Sequence, residues 1–461
     1  MPILAGFMVP HPPLIVPAIG KGGEEQILET TRAYERVAEE IAALQPDTLI
    51  ITSPHAVMYA DYFHISPGSK AEGSFRQFRA PGVRFSEQYD TELVNRICEL
   101  ADAENLPAGT LGEWDKDLDH GTMVPLWFIR NKYTAGKIVR IGLSGLPLTE
   151  HYRLGQLIAK AVEDTGRRAV LVASGDLSHK LQSYGPYGFA EEGPEYDRRI
   201  MDVCGRAAFG ELFEFDETFC DKAAECGHRS FVIMAGAFDG LRVKATVLSH
   251  QDVTGVGYGI CTFYPGGEDE TRHFLKAYQE KIEQTCREKA AHSDDYVKLA
   301  RAAIKAWVLR HERLAVPAGL PDEMLTRRAG AFVSLHKNGQ LRGCIGTIMA
   351  TKKSIAEEII QNAISACARD PRFSPVTADE LATLEISVDV LGELEPIESP
   401  AELDVKRYGV VVSHGAKRGL LLPNLDGVDT VEEQIAIARQ KGGIGKNEPY
   451  KLERFEVVRH Y

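Results

Sequence analysis

The chain has 461 residues, too many for one ordinary hydrophobic core, so two or three domains are predicted. Its formal net charge of −13 and its pI of about 5.6 argue against binding of nucleic acid through phosphate neutralisation, and we expect no nucleic-acid partner. Hydrophobic residues make up 44% and charged residues 26%, which is the composition of a globular protein.

The N-terminal segment MPILAGFMVPHPPLIVP is apolar, but it has no basic stretch and prolines interrupt it, so it is a poor signal peptide. No segment approaches the roughly 18 consecutive apolar residues that a transmembrane helix needs. Eight cysteines in a chain of this length, without a secretory signal, indicate reduced thiols rather than disulfides. We therefore expect a cytoplasmic protein with no membrane partner.

Residues 1–265 alternate strand-like and helix-like segments. Short apolar runs suited to buried strands lie at residues 2–9, 48–53, 137–143 and 169–173. Helices are predicted at residues 23–44, 124–130, 151–164 and 229–238. This alternation predicts an α/β domain with a largely parallel or mixed sheet.

The pattern breaks near residues 263–270, where YPGGEDE predicts a linker. A polar, helical connector is expected to complete a linker region over residues 266–290. In residues 291–461, strands are predicted at 332–335, 385–391, 409–412 and 420–422, and helices at 355–368 and 431–441. This order predicts a separate α+β domain.

Three histidines follow predicted strands. His11 comes directly after the first strand in VPHPP, His55 after the second in TSPH, and His179 after a later one in ASGDLSH. In open α/β sheets, ligands bind beyond the carboxyl ends of the strands. A single histidine there is usually an ordinary loop residue, but three favour a metal or catalytic site, and imidazole suits iron, zinc and copper.

Further candidates lie in two other segments. His120, in LDHGT before a helix, is either a site residue or a polar surface residue that follows an Asp119 N-cap. Glu225 and Cys226, in AAECGHR, open an apolar helix, and either side chain can point into the site. A glutamate at that position is also favoured by the helix dipole, and a cysteine is also a common core residue. The residues alone leave the choice between Glu225 and Cys226 open.

Residues 1–265 resemble the class III extradiol dioxygenase (LigB-like) family and its relative Memo. The segments PHPP around His11, SPHA around His55, DHG at His120 and SGDLSH ending at His179 occur in that family's order. The resemblance implies an α/β sheet domain with flanking helices. It also implies ferrous iron held by His11, His55 and an acidic third ligand. In that family pattern His179 is the acid/base, and His120 helps to bind a catechol-like aromatic substrate.

The third ligand departs from the family pattern. Ring-cleaving members use a glutamate, whereas the pair Cys226-Gly227 resembles Memo, in which a cysteine takes that place. A thiolate ligand favours copper or a redox role, and zinc is a further alternative to iron. The resemblance thus implies an iron-dependent oxidoreductase of the extradiol ring-cleavage type. The alternative is a non-catalytic or redox maturation factor that binds metal.

Residues 291–461 resemble the AMMECR family. The motif LRGCIGT, with Arg342 and Cys344, carries the resemblance, and ARDPRF, with Arg369 and Arg372, fits the same family. Between two glycines, Cys344 is either a reactive or ligating thiol or a buried residue at a tight turn. The arginines are either sites for an anion or a partner, or structural partners of aspartates.

Memo-like and AMMECR-like proteins are associated with a radical S-adenosylmethionine protein in bacteria, so the resemblance implies such a partner. The chain lacks the C-x3-C-x2-C motif of a radical enzyme. We also expect a homo-oligomer. Two weaker alternatives are a scaffold with a vestigial site and a Ser-His-Asp hydrolase. For the hydrolase, Asp176, Ser178 and His179 lie too close in sequence, and no G-x-S-x-G elbow is present.

Overall fold

The structure is a computed structural model that describes residues 3–337, 339–425 and 427–461. Runs of apolar residues form the central strands of its N-terminal half. The chain divides into two units, Met1–Tyr278 and Gln279–Tyr461. Four strands were predicted for the first unit and all four are present, although Pro2, the first residue of the first predicted strand, lies outside the described residues. The strands of this unit are β1 (Ile3–Val9), β2 (Thr48–Ser53), β3 (Phe63–His64), β4 (Lys70–Phe75), β5 (Ala80–Gln88), β6 (Ala108–Gly109), β7 (Lys137–Gly142), β8 (Ala169–Ser174), β9 (Leu241–Gln251) and β10 (Tyr258–Glu268).

The main sheet of this unit has six strands in the order β7-β2-β8-β1-β10-β9. The first four strands in that order are mutually parallel, and β10 and β9 are added antiparallel at one side. The neighbouring strands β2, β8 and β1 therefore end at the same edge of the sheet. This edge receives the loops that carry the candidate histidines.

Helices cover both faces of the sheet. Alternate residues of β8 enter different cores, with Leu171 in one and Val170 and Val172 in the other, so the strand is apolar throughout. The predicted α/β class is confirmed. The helices are α1 (Pro17–Gly20), α2 (Leu28–Leu44), α3 (Thr91–Ala103), α4 (His120–Lys132), α5 (Leu148–Asp164), α6 (Glu192–Arg206), α7 (Glu217–Ala223), α8 (His228–Gly236) and α9 (Phe274–His292), the last of which contains the boundary between the units. Among the described residues, no helix combines the length and apolarity that a bilayer crossing requires.

The segment predicted as a linker is largely a strand. Residues 263–268 continue β10, which pairs antiparallel with β9 as far as Glu268 opposite Leu241. The Pro-Gly-Gly sequence predicts a linker, but a register shift between Pro265 and Glu268 accommodates the two glycines at the open end of a long hairpin. The two long strands form the antiparallel side of the sheet.

The second unit contains an antiparallel sheet and confirms the predicted α+β class. Its strand order is β12-β11-β13-β17-β15-β16, and β14 also pairs with β17. Helices α10 and α12 pack on one face of this sheet through a core that includes Ile304 and Ile359. The elements are α10 (Asp295–Arg310), α11 (Asp322–Thr326), β11 (Ala331–Lys337), β12 (Gln340–Gly346), α12 (Ile355–Ala368), β13 (Glu385–Leu391), β14 (Glu395–Ile397), β15 (Tyr408–His414), β16 (Lys417–Leu421), α13 (Val431–Lys441) and β17 (Lys451–His460).

Two glycines allow the loop after β8 to touch the start of α8. A Cβ atom on Gly175 would lie only 2.0 Å from the Cα atom of Gly227, which is a severe overlap. The two backbones can therefore come this close only because residue 175 is a glycine. The contact brings the backbone that follows β8 against the backbone of residue 226. It is therefore a constraint on the candidate site.

Gly175→Ala is expected to lower the free energy of unfolding of the N-terminal unit by about 3 kcal/mol, because the new methyl group overlaps the Gly227 backbone. Gly82→Ala is the matched control, since nothing lies within 4 Å of a Cβ at that position. Hydrogen exchange of β8 peptides across a denaturant series measures the difference. Equal stability of the two variants would contradict the close approach.

Candidate metal centre

The parallel strands deliver polar side chains to one edge of the first sheet. His11 lies two residues beyond the end of β1, and His55 lies two residues beyond the end of β2. Asp176 and His179 follow β8, the strand between them in the sheet. His11 is buried with 1% of its surface exposed, whereas His55 is exposed, so this group of residues is open to solvent at His55.

The structure brings His11, His55 and Cys226 together as a possible ligand group. Their ligand atoms all lie within 4.8 Å of one another. The two Nε2 atoms of the histidines are 3.0 Å apart, and the Cys226 Sγ lies 3.6 Å from the His11 Nε2. Metal–nitrogen bonds of about 2.1 Å and metal–sulfur bonds of about 2.3 Å place ligand atoms of one ion about 3.0 to 3.6 Å apart. The two separations that involve His11 fit a single ion.

Ser174 determines the tautomer of His11. The Ser174 hydroxyl donates to the carbonyl oxygen of Gly121 at 2.6 Å, so its only hydrogen is used there. The same oxygen lies 3.0 Å from the His11 Nδ1 and can only accept, which assigns the ring proton to Nδ1. The lone pair of His11 is therefore on Nε2, the nitrogen that faces His55 and Cys226.

His55 and His120 form a stacked pair. Their ring centroids are 4.0 Å apart with an interplanar angle of 28°. Burial lowers the pKa of both imidazoles. For His120, the nearby rings of His55 and His11 add to the effect of burial, and its pKa falls to about 3. Both rings are thus neutral near pH 7, as metal coordination requires. From the sequence, His120 was either a site residue or a polar surface residue. The structure places its side chain at the site, against His55 and His11.

Asp119 stabilises the strand end and the helix that carry this pair. Its carboxylate accepts hydrogen bonds from the Ser53 hydroxyl at 2.5 Å and from the Thr122 backbone N–H at 3.0 Å. It is the N-cap of α4, as the sequence suggested. The buried guanidinium of Arg140 lies 3.8 Å from the same carboxylate. Asp119 thereby fixes His120, the first residue of α4, beside the end of β2.

Asp176 is a site residue that the sequence reasoning assigned only to a rejected hydrolase. One carboxylate oxygen accepts the His11 backbone N–H at 2.7 Å. The other lies 3.9 Å from the Nε2 atoms of both His11 and His179. Burial raises the pKa of this carboxyl, and the electrostatic interaction with His179 opposes the rise. Its position two residues after β8 was the available signal, since His11 and His55 occupy the same place after their own strands.

Cys226 is held against Asp176 by the backbone. The Asp176 N–H donates to the Cys226 Sγ at 3.3 Å, and the Cys226 N–H donates to the Asp176 carbonyl at 3.4 Å. Burial raises the pKa of this thiol well above its ordinary value, and the neighbouring carboxyls of Asp176 and Glu225 add to the rise. A bound cation reverses that preference, because a coordinated thiol loses its proton. Asp176, His179 and Cys226 form a second possible ligand group around the same thiol.

Glu225 points elsewhere. Its carboxylate accepts the backbone N–H of His228 at 2.6 Å and lies 3.5 Å from the Tyr196 hydroxyl, at the start of α8. Burial raises its pKa to about 7. The Glu225 carboxylate belongs to neither of the two possible ligand groups found among the described residues. Of the two alternatives that the sequence left open, the geometry favours Cys226.

His179 belongs to the second of these ligand groups. Its Nε2 is buried and, within the described parts of the chain, has no hydrogen-bond partner. The exposed ring of Tyr187 stacks on it at a centroid distance of 5.1 Å. The neighbouring Ser178 hydroxyl donates to the Ala223 carbonyl rather than to His179, so the contacts give no support to a Ser-His-Asp triad. Neither Tyr187 nor Phe78, which packs on His120, was selected from the sequence.

The donor set fits a mononuclear metal. It combines two neutral imidazoles, one of which has its lone pair fixed, with a thiol and a carboxylate close by. Such mixed nitrogen, sulfur and oxygen sites suit iron, copper or zinc rather than magnesium or calcium.

The C-terminal candidates have structural partners. Arg342 pairs with the buried carboxylate of Glu380 at 2.8 Å, and Arg372 pairs with Asp370 at 2.7 Å. Arg369 is exposed and its guanidinium lies over Trp307, 5.8 Å from the ring centroid. The Cys344 side chain is half-buried on β12 rather than in a turn.

The N-terminal sequence matches a family model described as the catalytic LigB subunit of aromatic ring-opening dioxygenase, over residues 5–261. The chain belongs to the LigB family. The AMMECR1 family model matches residues 297–460, which confirms the predicted fusion of the two halves. LigB-family proteins usually bind a metal, in agreement with the ligand groups at the sheet edge.

Several relatives resemble the whole chain or part of it. A Clostridium acetobutylicum protein, CA_C1420, is 41% identical and covers 98% of each chain. The 2-aminophenol 1,6-dioxygenase beta subunit of a Pseudomonas species is 27% identical over 56% of this chain and 92% of its own. The crystal structure of an uncharacterized Pyrococcus horikoshii protein has 32% identity and a TM-score of 0.34, covering 36% of this chain and 88% of that one.

Arg342→Gln is expected to destabilise the C-terminal unit by about 2 kcal/mol at pH 7 and by much less at pH 3. Burial alone would raise the pKa of Glu380, but hydrogen bonds, first of all from Arg342, lower it to about 2. A depressed carboxyl pKa gives stability above its unfolded value of about 4.5, and that stability is lost as the pH falls towards 2.

Hydrogen exchange of C-terminal peptides in denaturant, at both pH values, measures the effect. Arg313→Gln is the matched control, since this arginine is exposed. A loss that is the same at pH 7 and pH 3 would show that the ion pair is not its cause.

Proposed function

We propose that the N-terminal unit is a metal-dependent oxidoreductase of the extradiol dioxygenase type, with ferrous iron held by His11, His55 and Cys226. The observation that carries the proposal is the convergence of two neutral imidazoles and a thiol. The His11 Nε2 lies 3.0 Å from the His55 Nε2 and 3.6 Å from the Cys226 Sγ. Close by, the Nε2 of His179 has no hydrogen-bond partner among the described residues. The side of the site at the exposed His55 is where a small substrate would enter.

The substrate class is a small aromatic ring with two adjacent hydroxyl or amino groups. A bound ferrous ion would supply a redox-active Lewis acid with positions left open by the protein ligands. The relative that acts on 2-aminophenol supports such a substrate. So do the aromatic surfaces of Phe78 against His120 and of Tyr187 against His179, because flat rings favour stacked or edge contacts.

His179 is proposed as the acid/base. Burial lowers its pKa, so the imidazole is neutral near pH 7 and its Nε2 can accept a proton from a substrate hydroxyl. The Asp176 carboxylate, 3.9 Å from that nitrogen, stabilises the ring once it is protonated. The backbone N–H of His179 is bonded to the Ala223 carbonyl, which fixes the position of the residue.

A second candidate function is a redox or maturation factor of the Memo type that works with a radical S-adenosylmethionine protein. One observation favours it: Cys226 lies where ring-cleaving relatives are expected to have a carboxylate, and Glu225 is engaged at the start of α8. A thiol ligand suits a centre that transfers electrons. Turnover of an aromatic substrate separates the two functions.

Metal retention is the first test. Anaerobically reconstituted wild-type protein is expected to hold about one iron per chain, and His11→Ala or Cys226→Ser to lose at least about tenfold in affinity. Glu225→Gln is the matched control for Cys226→Ser, because it keeps the hydrogen bond to the His228 N–H and should retain the metal. Metal analysis after dialysis against a chelator measures this. Loss in Glu225→Gln with retention in Cys226→Ser would reverse the assignment of the third ligand.

Oxygen uptake with a panel of catechols and 2-aminophenol is the second test. His179→Ala is expected to retain iron and to lose turnover by about 10²- to 10⁴-fold, the usual contribution of a general acid/base. Ser178→Ala should leave turnover unchanged, since its hydroxyl is bonded to the Ala223 carbonyl. An iron-loaded wild-type protein without uptake on any member of the panel would favour the maturation factor.

A further inference from the structure

The C-terminal unit contains a large cleft that the proposed function does not use. Its volume is about 1150 Å³, enough for an organic molecule. The floor is formed by one face of the β12-β11-β13 part of the sheet. Alternate residues of β11 divide between the two faces: Val333 is buried in the core with α10 and α12, and Phe332 and Ser334 line the cleft.

A row of small polar side chains crosses this floor. Cys344 of β12 and Ser387 of β13 both stand opposite Ser334 of β11. The Ser334 hydroxyl donates to the Cys344 Sγ at 3.2 Å. The Cys344 backbone is fixed as well, because its N–H donates to Asp370 at 2.9 Å and its carbonyl accepts from Arg372 at 3.0 Å. The cleft therefore presents a thiol in a fixed position.

More basic than acidic side chains surround the floor of the cleft. Six basic and two acidic side chains line the cleft of a protein whose net charge is −13. Four of the basic residues have carboxylate partners: Lys289 with Glu385, Arg372 with Asp370, Arg418 with Glu453, and Arg459 with Asp389. The other two, Arg301 and Lys441, are in no ion pair with a carboxylate among the residues that the structure describes.

Arg301 is the more constrained of the two. One of its amino groups donates to the Leu384 carbonyl at 3.2 Å. Its Nε is buried and has no hydrogen-bond partner among the described residues. A buried donor without an acceptor costs free energy, and an oxyanion in the cleft would supply the acceptor.

The remaining lining is largely apolar. Phe332, Leu341, Ile348, Leu420 and Leu422 contribute to it. A ligand that matches the cleft has an apolar body and a single anionic group. Phosphate sites are often built from backbone N–H groups at helix N-termini and turns, whereas the candidate groups here are side-chain cations, so we take a carboxylate as the anionic group.

We propose that this cleft binds an organic carboxylate with an apolar body, with its anionic group at Arg301, in the same cleft that Lys441 and the Cys344 thiol line. The proposal goes beyond the metal centre and does not depend on it. The cleft would give the AMMECR1 half a small-molecule binding activity of its own.

The Cys344 thiol supplies the test, because iodoacetate is itself a small carboxylate and iodoacetamide is its neutral counterpart. Mass spectrometry of the full chain, digested after brief alkylation, gives the rate ratio of iodoacetate to iodoacetamide at each cysteine. Half-buried Cys98 of the N-terminal unit supplies the reference ratio. The ratio at Cys344 is expected to exceed that at Cys98 by about tenfold, since a cationic cleft concentrates anions.

Arg301→Gln and Lys441→Gln are each expected to bring the ratio at Cys344 towards that at Cys98. Lys441 is exposed at the end of α13, so its variant tests the idea even if Arg301→Gln fails to fold. Exposed Lys446, outside the cleft, provides the matched control Lys446→Gln, which should change nothing. Equal ratios at Cys344 and Cys98 in the wild type would overturn the proposal.

A competition arm separates carboxylate from phosphate. Millimolar benzoate is expected to slow the reaction of Cys344 with iodoacetamide, and inorganic phosphate at the same concentration is not. Protection by phosphate with none by benzoate would overturn the assignment to a carboxylate.

Discussion

The hydrogen bond between Ser174 and His11 determines which nitrogen of the buried histidine is available to a ligand. Ser174 is the last residue of β8, and its hydroxyl hydrogen is used by the Gly121 carbonyl at the start of α4. The same oxygen must then accept the Nδ1 proton of His11. One hydroxyl thus joins the ends of β1 and β8 and the first turn of α4, and it leaves the Nε2 lone pair directed at His55 and Cys226.

The rest of the candidate centre depends on the arrangement of the strands around that bond. Parallel neighbours β2, β8 and β1 end together, so His55, Asp176 and His11 meet without any long loop. The contact between Gly175 and Gly227 adds Cys226 from a distant part of the chain. Burial then keeps the imidazoles neutral and the thiol protonated until a cation binds. The site is therefore prepared for a metal by its geometry and by its electrostatics.

Strand ends were the part of the structure that the sequence predicted best. The apolar runs of the parallel strands identify buried strands, and the histidines directly after them mark the edge of the sheet that carries the candidate site. The class of each half and the resemblances to the LigB and AMMECR families were confirmed. The β9-β10 hairpin was missed because its glycines resemble a linker, and cross-strand pairing depends on residues far away in sequence. The orientation of adjacent Glu225 and Cys226 was also beyond sequence reasoning, since it depends on the backbone contact at Gly227.

X-ray absorption spectroscopy at the metal edge of the anaerobically reconstituted protein tests the central claim most directly. Coordination by His11, His55 and Cys226 predicts imidazole nitrogens at about 2.1 Å and one sulfur at about 2.3 Å from the metal. The sulfur contribution should disappear in Cys226→Ser. A metal surrounded only by nitrogen and oxygen in the wild-type protein would contradict the account.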